Sequence, residues 1–138
     1  MEHPPVTGHR QGITMSNPVT GRCLCGAIAY KVNGPLVGVI NCHCSVCRRW
    51  HGNFASYAVA MLSDFEYTAG ADLVQWFDSS EKARRGFCPK CGSSLFKDNK
   101  DGQKIVLSVG ALDIPTGLSF LKNIFEESKG DCYALPTA

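Results

Sequence analysis

From Gly21 onward, apolar residues arrive in short bursts and not at helical spacing: Ala27 to Val32, Val37 to Cys42, Phe54 to Met61, Leu73 to Phe77, Ser94 to Lys97 and Ile105 to Val109. Bursts this short, bounded by turn residues, predict strands. The breakers are Asn33-Gly34-Pro35, Gly70, Asp78-Ser79-Ser80, Asp98 to Gly102 and Pro115-Thr116-Gly117. Such gaps leave little room for crossover helices and favour antiparallel hairpins. The predicted class is all-β. Ser45 to His51 is the one stretch that reads as a helical turn, and Leu118 to Phe125 fits strand or helix. Residues 1–18 carry Pro4, Pro5, Gly8, Gly12 and Pro18 with almost no apolar periodicity, which predicts a flexible N-terminal tail ahead of a folded domain at 19–138.

Composition narrows the class. At 138 residues, with 44% hydrophobic and 19% charged positions, the chain is one domain's worth and can build a modest core. No apolar run approaches the roughly 18 residues of a membrane span, and Met1 to Thr20 lacks a secretory apolar region. The expectation is a soluble, cytoplasmic protein with no membrane contact. A net charge of +2 is too weak to drive phosphate-backbone binding, so nucleic acid is not an expected partner.

Eight cysteines change the picture. Without an export signal their thiols are expected to stay reduced, and metal ligation becomes the leading explanation. Cys23-Leu24-Cys25 would present both sulfurs on one face if extended. Cys88-Pro89-Lys90-Cys91-Gly92 reads as a zinc knuckle, with Gly92 free to take the positive φ that turns backbone amides toward the sulfurs. Two ligands from each make a closed four-thiolate tetrahedron, the pattern of structural zinc. Its segments are roughly 60 residues apart, so such a site staples the start of the domain to a later hairpin. By analogy with zinc-finger peptides it supplies on the order of 10 kcal/mol of folding free energy. Buried free thiols or a redox pair are the blander readings.

Cys42, Cys44 and Cys47 put three sulfurs within six residues. Three protein ligands leave a fourth position for water or substrate, as in catalytic zinc sites. The alternative is that His43, His51 or Cys132 closes that position and makes a second structural staple. Seven thiolates on two zinc ions would move the formal charge from +2 to about −1. Arg48 and Arg49 follow the trio directly and could offset its charge, a solvated basic pair being the commoner outcome.

At these residues the sequence resembles the glutathione-dependent formaldehyde-activating enzyme family, which includes the centromere protein V domain. The resemblance is carried by Gly21-Arg22-Cys23-Leu24-Cys25-Gly26-Ala27, by Cys42-His43-Cys44-Ser45-Val46-Cys47-Arg48-Arg49 and by Phe87-Cys88-Pro89-Lys90-Cys91-Gly92-Ser93. It spans roughly Thr20 to Pro136. It implies an Mss4-like fold of small twisted antiparallel sheets, a structural zinc on Cys23, Cys25, Cys88 and Cys91, and a catalytic zinc on Cys42, Cys44 and Cys47. The implied activity is that of a carbon–sulfur lyase, S-(hydroxymethyl)glutathione synthase, which joins formaldehyde to the thiol of glutathione. Zinc would either deprotonate the bound thiol or polarise the aldehyde oxygen. Family members commonly carry a His before an Ile-Phe-Val strand and then a Trp-Tyr-type pair, where this chain has Asn123 before Ile124-Phe125 and then Cys132-Tyr133. The competing reading is a non-catalytic zinc-stabilised β module that binds a protein partner.

The remaining candidates read first as structure. His51 is a surface or hydrogen-bonded histidine before it is a general acid or base. Trp50, Phe54 and Tyr57 are core aromatics before they are a pocket lining. Lys82, Arg84 and Arg85 are a solvated strand face before they are a clamp for ligand carboxylates. Cys132 is a spare thiol.

Overall fold

The structure is a computed structural model that describes residues 18–137; the expected tail at 1–18 falls, but for Pro18, outside the described residues. Ten strands and one α-helix occur among them. The strands are β1 (Val19–Arg22), β2 (Ala29–Val32), β3 (Val39–Cys42), β4 (Ala55–Met61), β5 (Phe65–Ala69), β6 (Gln75–Ser80), β7 (Ala83–Phe87), β8 (Ser94–Asp98), β9 (Lys104–Ser108) and β10 (Phe120–Ile124), and the helix is α1 (Ser45–His51). The fold is mostly β, as the apolar bursts predict.

Two sheets form. One has three strands in the order β1-β2-β5, the other seven in the order β10-β3-β4-β9-β8-β7-β6. Every pairing is antiparallel except β10 with β3. That parallel exception follows from the long excursion between β9 and β10, since parallel neighbours need more chain than a hairpin supplies.

β1, β5, β7 and β10 lie outside the apolar bursts, and β6 runs past the end of one. β1 contributes only Val19 as an apolar residue, and Gly21 is required because the Tyr30 ring occupies the space of a side chain there. β7 reads Ala-Arg-Arg-Gly-Phe, yet it is held between β6 and β8. β6 runs through Asp78-Ser79-Ser80, which the sequence marks as a breaker. Its register with β7 continues to Ser80↔Ala83, and the reversal falls at Glu81-Lys82. The segment that fits either strand or helix is strand β10.

The sheets pack through one face each. Tyr30 and Val32 meet Ala58, Phe96, Ile105 and Leu107 in the larger core. Tyr30, Phe65 and Phe96 lie 5.2–5.5 Å apart by ring centroid, two of the three pairs edge-to-face, and Trp76 stacks on Phe96. Such pairs contribute about 0.5–1.5 kcal/mol beyond area burial. Gly86 fits here because a Cβ would lie 2.9 Å from the Trp76 ring. Strand alternation sends Tyr57, Val59 and Val106 to the other face of the large sheet, where they form a second cluster with Cys42, Cys47 and Ala55. α1 crosses this face, and its Trp50 stacks on Phe77 and meets Phe87 edge-on. Among the described residues no helix is long and apolar enough to cross a membrane.

Candidate functional site

The seven cysteines singled out by spacing gather into two groups, and within each group the sulfurs lie within 4.8 Å of one another. Cys23, Cys25, Cys88 and Cys91 make the first. Cys23 and Cys25 sit in a turn after β1, not in an extended strand as expected, because Gly26 at φ 80° reverses the chain directly behind them. The Gly26 amide donates to the Cys23 carbonyl and the Ile28 amide to the Cys23 sulfur, at 3.1 and 3.3 Å. The second arm repeats the design: Gly92 takes φ 80°, as expected, and its amide donates to the Cys88 carbonyl at 2.7 Å.

Sulfur–sulfur separations are 3.6 Å for Cys23–Cys25 and 3.8 Å for Cys25–Cys88. A tetrahedron with metal–sulfur bonds of ~2.3 Å has edges of ~3.8 Å, whereas a disulfide needs ~2.05 Å, so this donor set fits a four-thiolate metal and all four cysteines are free. The Ser93 hydroxyl and amide pull the Cys91 thiol down to about 5, which favours the thiolate a metal requires.

The second group is Cys42 at the end of β3, Cys44 as the N-cap of α1, and Cys47 in its first turn. The Cys44 sulfur accepts from the Cys47 amide at 3.3 Å, which ties the helix start to the cluster. The Cys47 thiol is held down to about 4, first by Cys42, then by the Tyr57 hydroxyl, Cys44 and the charge of Arg85. Cys42 is pushed up in return, first by Cys47 and then by burial.

Among the described residues no fourth Cys, His, Asp or Glu joins this trio. His43, fully buried, points both ring nitrogens elsewhere. Nε2 donates to Asn123 Oδ1 at 2.9 Å, and Nδ1 meets the Tyr133 hydroxyl at 2.7 Å. Asn123 is oriented by its own amide, which donates to the Pro136 carbonyl. Asn123 and Tyr133 thus supply both partners of His43. Cys132 is exposed and faces Asn53, with a sulfur–oxygen distance of 3.7 Å. His51 Nε2 meets the Tyr57 hydroxyl at 3.3 Å, and burial lowers the histidine's pKa, keeping it neutral.

The cation beside the trio is Arg85, which sequence reasoning places on a solvated face. It is 4% exposed. Its guanidinium donates to the Tyr57 hydroxyl at 2.7 Å and reaches the Cys47 sulfur at 3.7 Å. Burial alone would lower its pKa, but Tyr57 and Cys47 more than reverse that. Tyr57 is correspondingly pushed up, first by burial and then by Cys47. Of the expected basic residues, Arg49 and Lys82 are exposed, Arg48 is half-buried on α1, and Arg84 stacks over Trp76 while bonding Asp98. The sequence offers a partial signal, since Arg85 is two residues from Phe87 and shares its strand face, but this marks Arg85 as buried only once β7 is known to lie beneath α1.

A cleft of about 570 Å³ extends from Cys23 of the first group to His51, lined also by Arg22, Phe54, Ser56 and Ser108. The Ser108 hydroxyl is buried without a partner. A cavity of about 680 Å³ over Phe65, Tyr67 and Trp76 contains no cysteine and belongs to the seam between the sheets.

Comparison with known proteins agrees with this arrangement. Over 115 residues, 82% of each chain, the sequence is 26% identical to an uncharacterized lyase of Schizosaccharomyces pombe. A crystal structure of a Rhodobacter sphaeroides protein matches with a TM-score of 0.62 and 27% identity, covering 75% of this chain and 98% of that one. A family model described as glutathione-dependent formaldehyde-activating enzyme matches residues 18–128, which include all seven clustered cysteines, and the chain belongs to that family.

Proposed function

We propose that this protein is a zinc-dependent carbon–sulfur lyase that reversibly joins an aldehyde to a thiol, with formaldehyde and glutathione as the pair suggested by the family. Cys23, Cys25, Cys88 and Cys91 hold a structural zinc, and Cys42, Cys44 and Cys47 hold a catalytic one. The observation that carries this reading is the contrast between four gathered sulfurs and three. In the first group the side chains complete a tetrahedron; in the second, the nearby histidine is turned away by Asn123 and Tyr133.

Bound zinc would supply a Lewis acid and lower the pKa of a ligand thiol. The chain's own residues do the rest. Cys44 and Cys47 are fixed by the start of α1, and Cys42 by its register with Ala55 and Ile124. In this reading His51, linked to the trio through the Tyr57 hydroxyl, accepts a proton from an incoming thiol and returns it in the reverse direction. Tyr57 lies between that histidine and Cys47 and holds both by its hydroxyl. A cytoplasmic setting suits a site that works only with reduced thiols.

The test is metal analysis followed by X-ray absorption at the zinc edge. The expected result is two zinc ions per chain, with the average sulfur coordination rising when glutathione is added. One zinc per chain, or coordination unmoved by saturating glutathione, would overturn the catalytic reading and favour a zinc-stabilised module that binds a protein partner.

A further inference from the structure

Buried arginines are almost always paired with carboxylates, because an isolated cation in a low-dielectric interior is costly. Arg85 is 4% exposed, yet none of the ion pairs among the described residues includes it. Its Nε has no partner at all. The groups it does meet are the Tyr57 hydroxyl and the Cys47 sulfur. The counter-ion of this buried cation is therefore the cysteine trio itself.

We propose that Arg85 is a positioning residue that biases the open coordination place of the three-cysteine site toward an anionic sulfur ligand. The inference rests on the functional reading above and deepens it. Three thiolates and a dication carry a net single negative charge, which resists a fourth thiolate. Arg85, 3.7 Å from the Cys47 sulfur, offsets that charge, so a thiol can bind as thiolate, its proton leaving to solvent or to His51. A neutral ligand gains nothing comparable from the cation. Of the two roles open to zinc in this chemistry, holding the thiol or polarising the aldehyde, the buried guanidinium favours the first. Tyr57 fixes its direction: the Tyr57 hydroxyl accepts from Arg85 at 2.7 Å and touches Cys47, so the cation cannot swing away without breaking a buried, charge-assisted hydrogen bond.

The experiment uses full-length protein loaded with Co²⁺, whose thiolate-to-metal absorption reports each added sulfur. It compares 2-mercaptoethanol, whose only charge when bound is on sulfur, with imidazole, a neutral ligand. Arg85→Gln should weaken 2-mercaptoethanol binding on the order of tenfold or more, as expected for removal of a nearby unit charge. Imidazole affinity should stay within about twofold on the same electrostatic ground. Arg85→Lys, which restores the charge without the fork, should recover most of the thiol affinity. Parallel weakening of both ligands in Arg85→Gln would show a merely structural role and overturn the proposal, as would unchanged thiol binding. If Arg85→Gln does not fold, Arg85→Lys decides alone: thiol binding near wild type with unchanged imidazole supports the proposal, and loss of thiol binding overturns it. A wild-type protein that answers to neither 2-mercaptoethanol nor glutathione would instead remove the functional reading itself, and this inference with it.

Discussion

The two cysteine groups use the same donor atom and differ in what surrounds it. Around Cys23, Cys25, Cys88 and Cys91 the neighbours are backbone amides, two positive-φ glycines and the Ser93 hydroxyl. The cation nearby, Arg22, is exposed and donates to backbone carbonyls, and among the described residues no buried cation or histidine bonds to these sulfurs. Around Cys42, Cys44 and Cys47 stand Tyr57 and Arg85, with His51 one bond further out, all of them groups that bear or move charge. The first set joins segments 63 residues apart and so removes a large loop from the unfolded ensemble; the second closes only six residues of chain. Stapling calls for long-range ligands and inert surroundings, whereas chemistry calls for local ligands on a rigid helix start and a charged environment.

The most severe test of that contrast is Cys88→Ser. A structural zinc site of this type is worth about 10 kcal/mol or more, comparable to the whole stability of a small domain, so this variant is expected to be unfolded at room temperature by circular dichroism. Cys44→Ser comes next. It should abolish turnover and bring zinc to one per chain while leaving a cooperative thermal transition, because the trio crosslinks almost nothing. Equal destabilisation by the two substitutions would make both groups staples and erase the distinction.

His51→Gln sharpens the comparison from the catalytic side. Glutamine can keep the hydrogen bond to Tyr57 but cannot take a proton, so kcat should fall on the order of 100-fold, as general acid–base residues typically contribute. Zinc content and thermal stability should hardly move. Unchanged turnover would reassign His51 to a purely structural role beside Tyr57.

The cysteine pattern and the helical turn were legible in the chain because both are local: spacing fixes a knuckle, and α1 follows the stretch Ser45 to His51. What escaped depends on pairing at a distance. Arg85 looks like a solvated residue until β7 is known to lie between β6 and β8 with α1 above, at which point there is no solvent left for it. β10 fits strand or helix until β3 supplies a parallel edge for it to join. The fate of His43 was hidden for the same reason, since its partners Asn123 and Tyr133 come from 80 and 90 residues further along.

That brace yields the mildest prediction, and it tests whether the vacancy in the trio is maintained by the rest of the chain. The Tyr133 hydroxyl meets His43 Nδ1 at 2.7 Å and lies 3.2 Å from the Asn53 carbonyl, and its ring stacks on the imidazole, with centroids 5.7 Å apart. Tyr133→Phe keeps the ring and removes only the hydroxyl, leaving a buried ring nitrogen short of a partner at a cost of about 1 kcal/mol. For a domain of this size that corresponds to a melting temperature lower by roughly 4 °C in calorimetry. Because His43 lies between Cys42 and Cys44, an imidazole held by Asn123 alone is less restrained from turning toward the trio. Zinc edge spectra of Tyr133→Phe should therefore gain a nitrogen ligand, and glutathione should compete with it, raising the thiol KM a few-fold while the four-cysteine group stays unchanged. Should the spectrum match wild type despite the lower melting temperature, the Tyr133 contact stabilises the fold without guarding the open position.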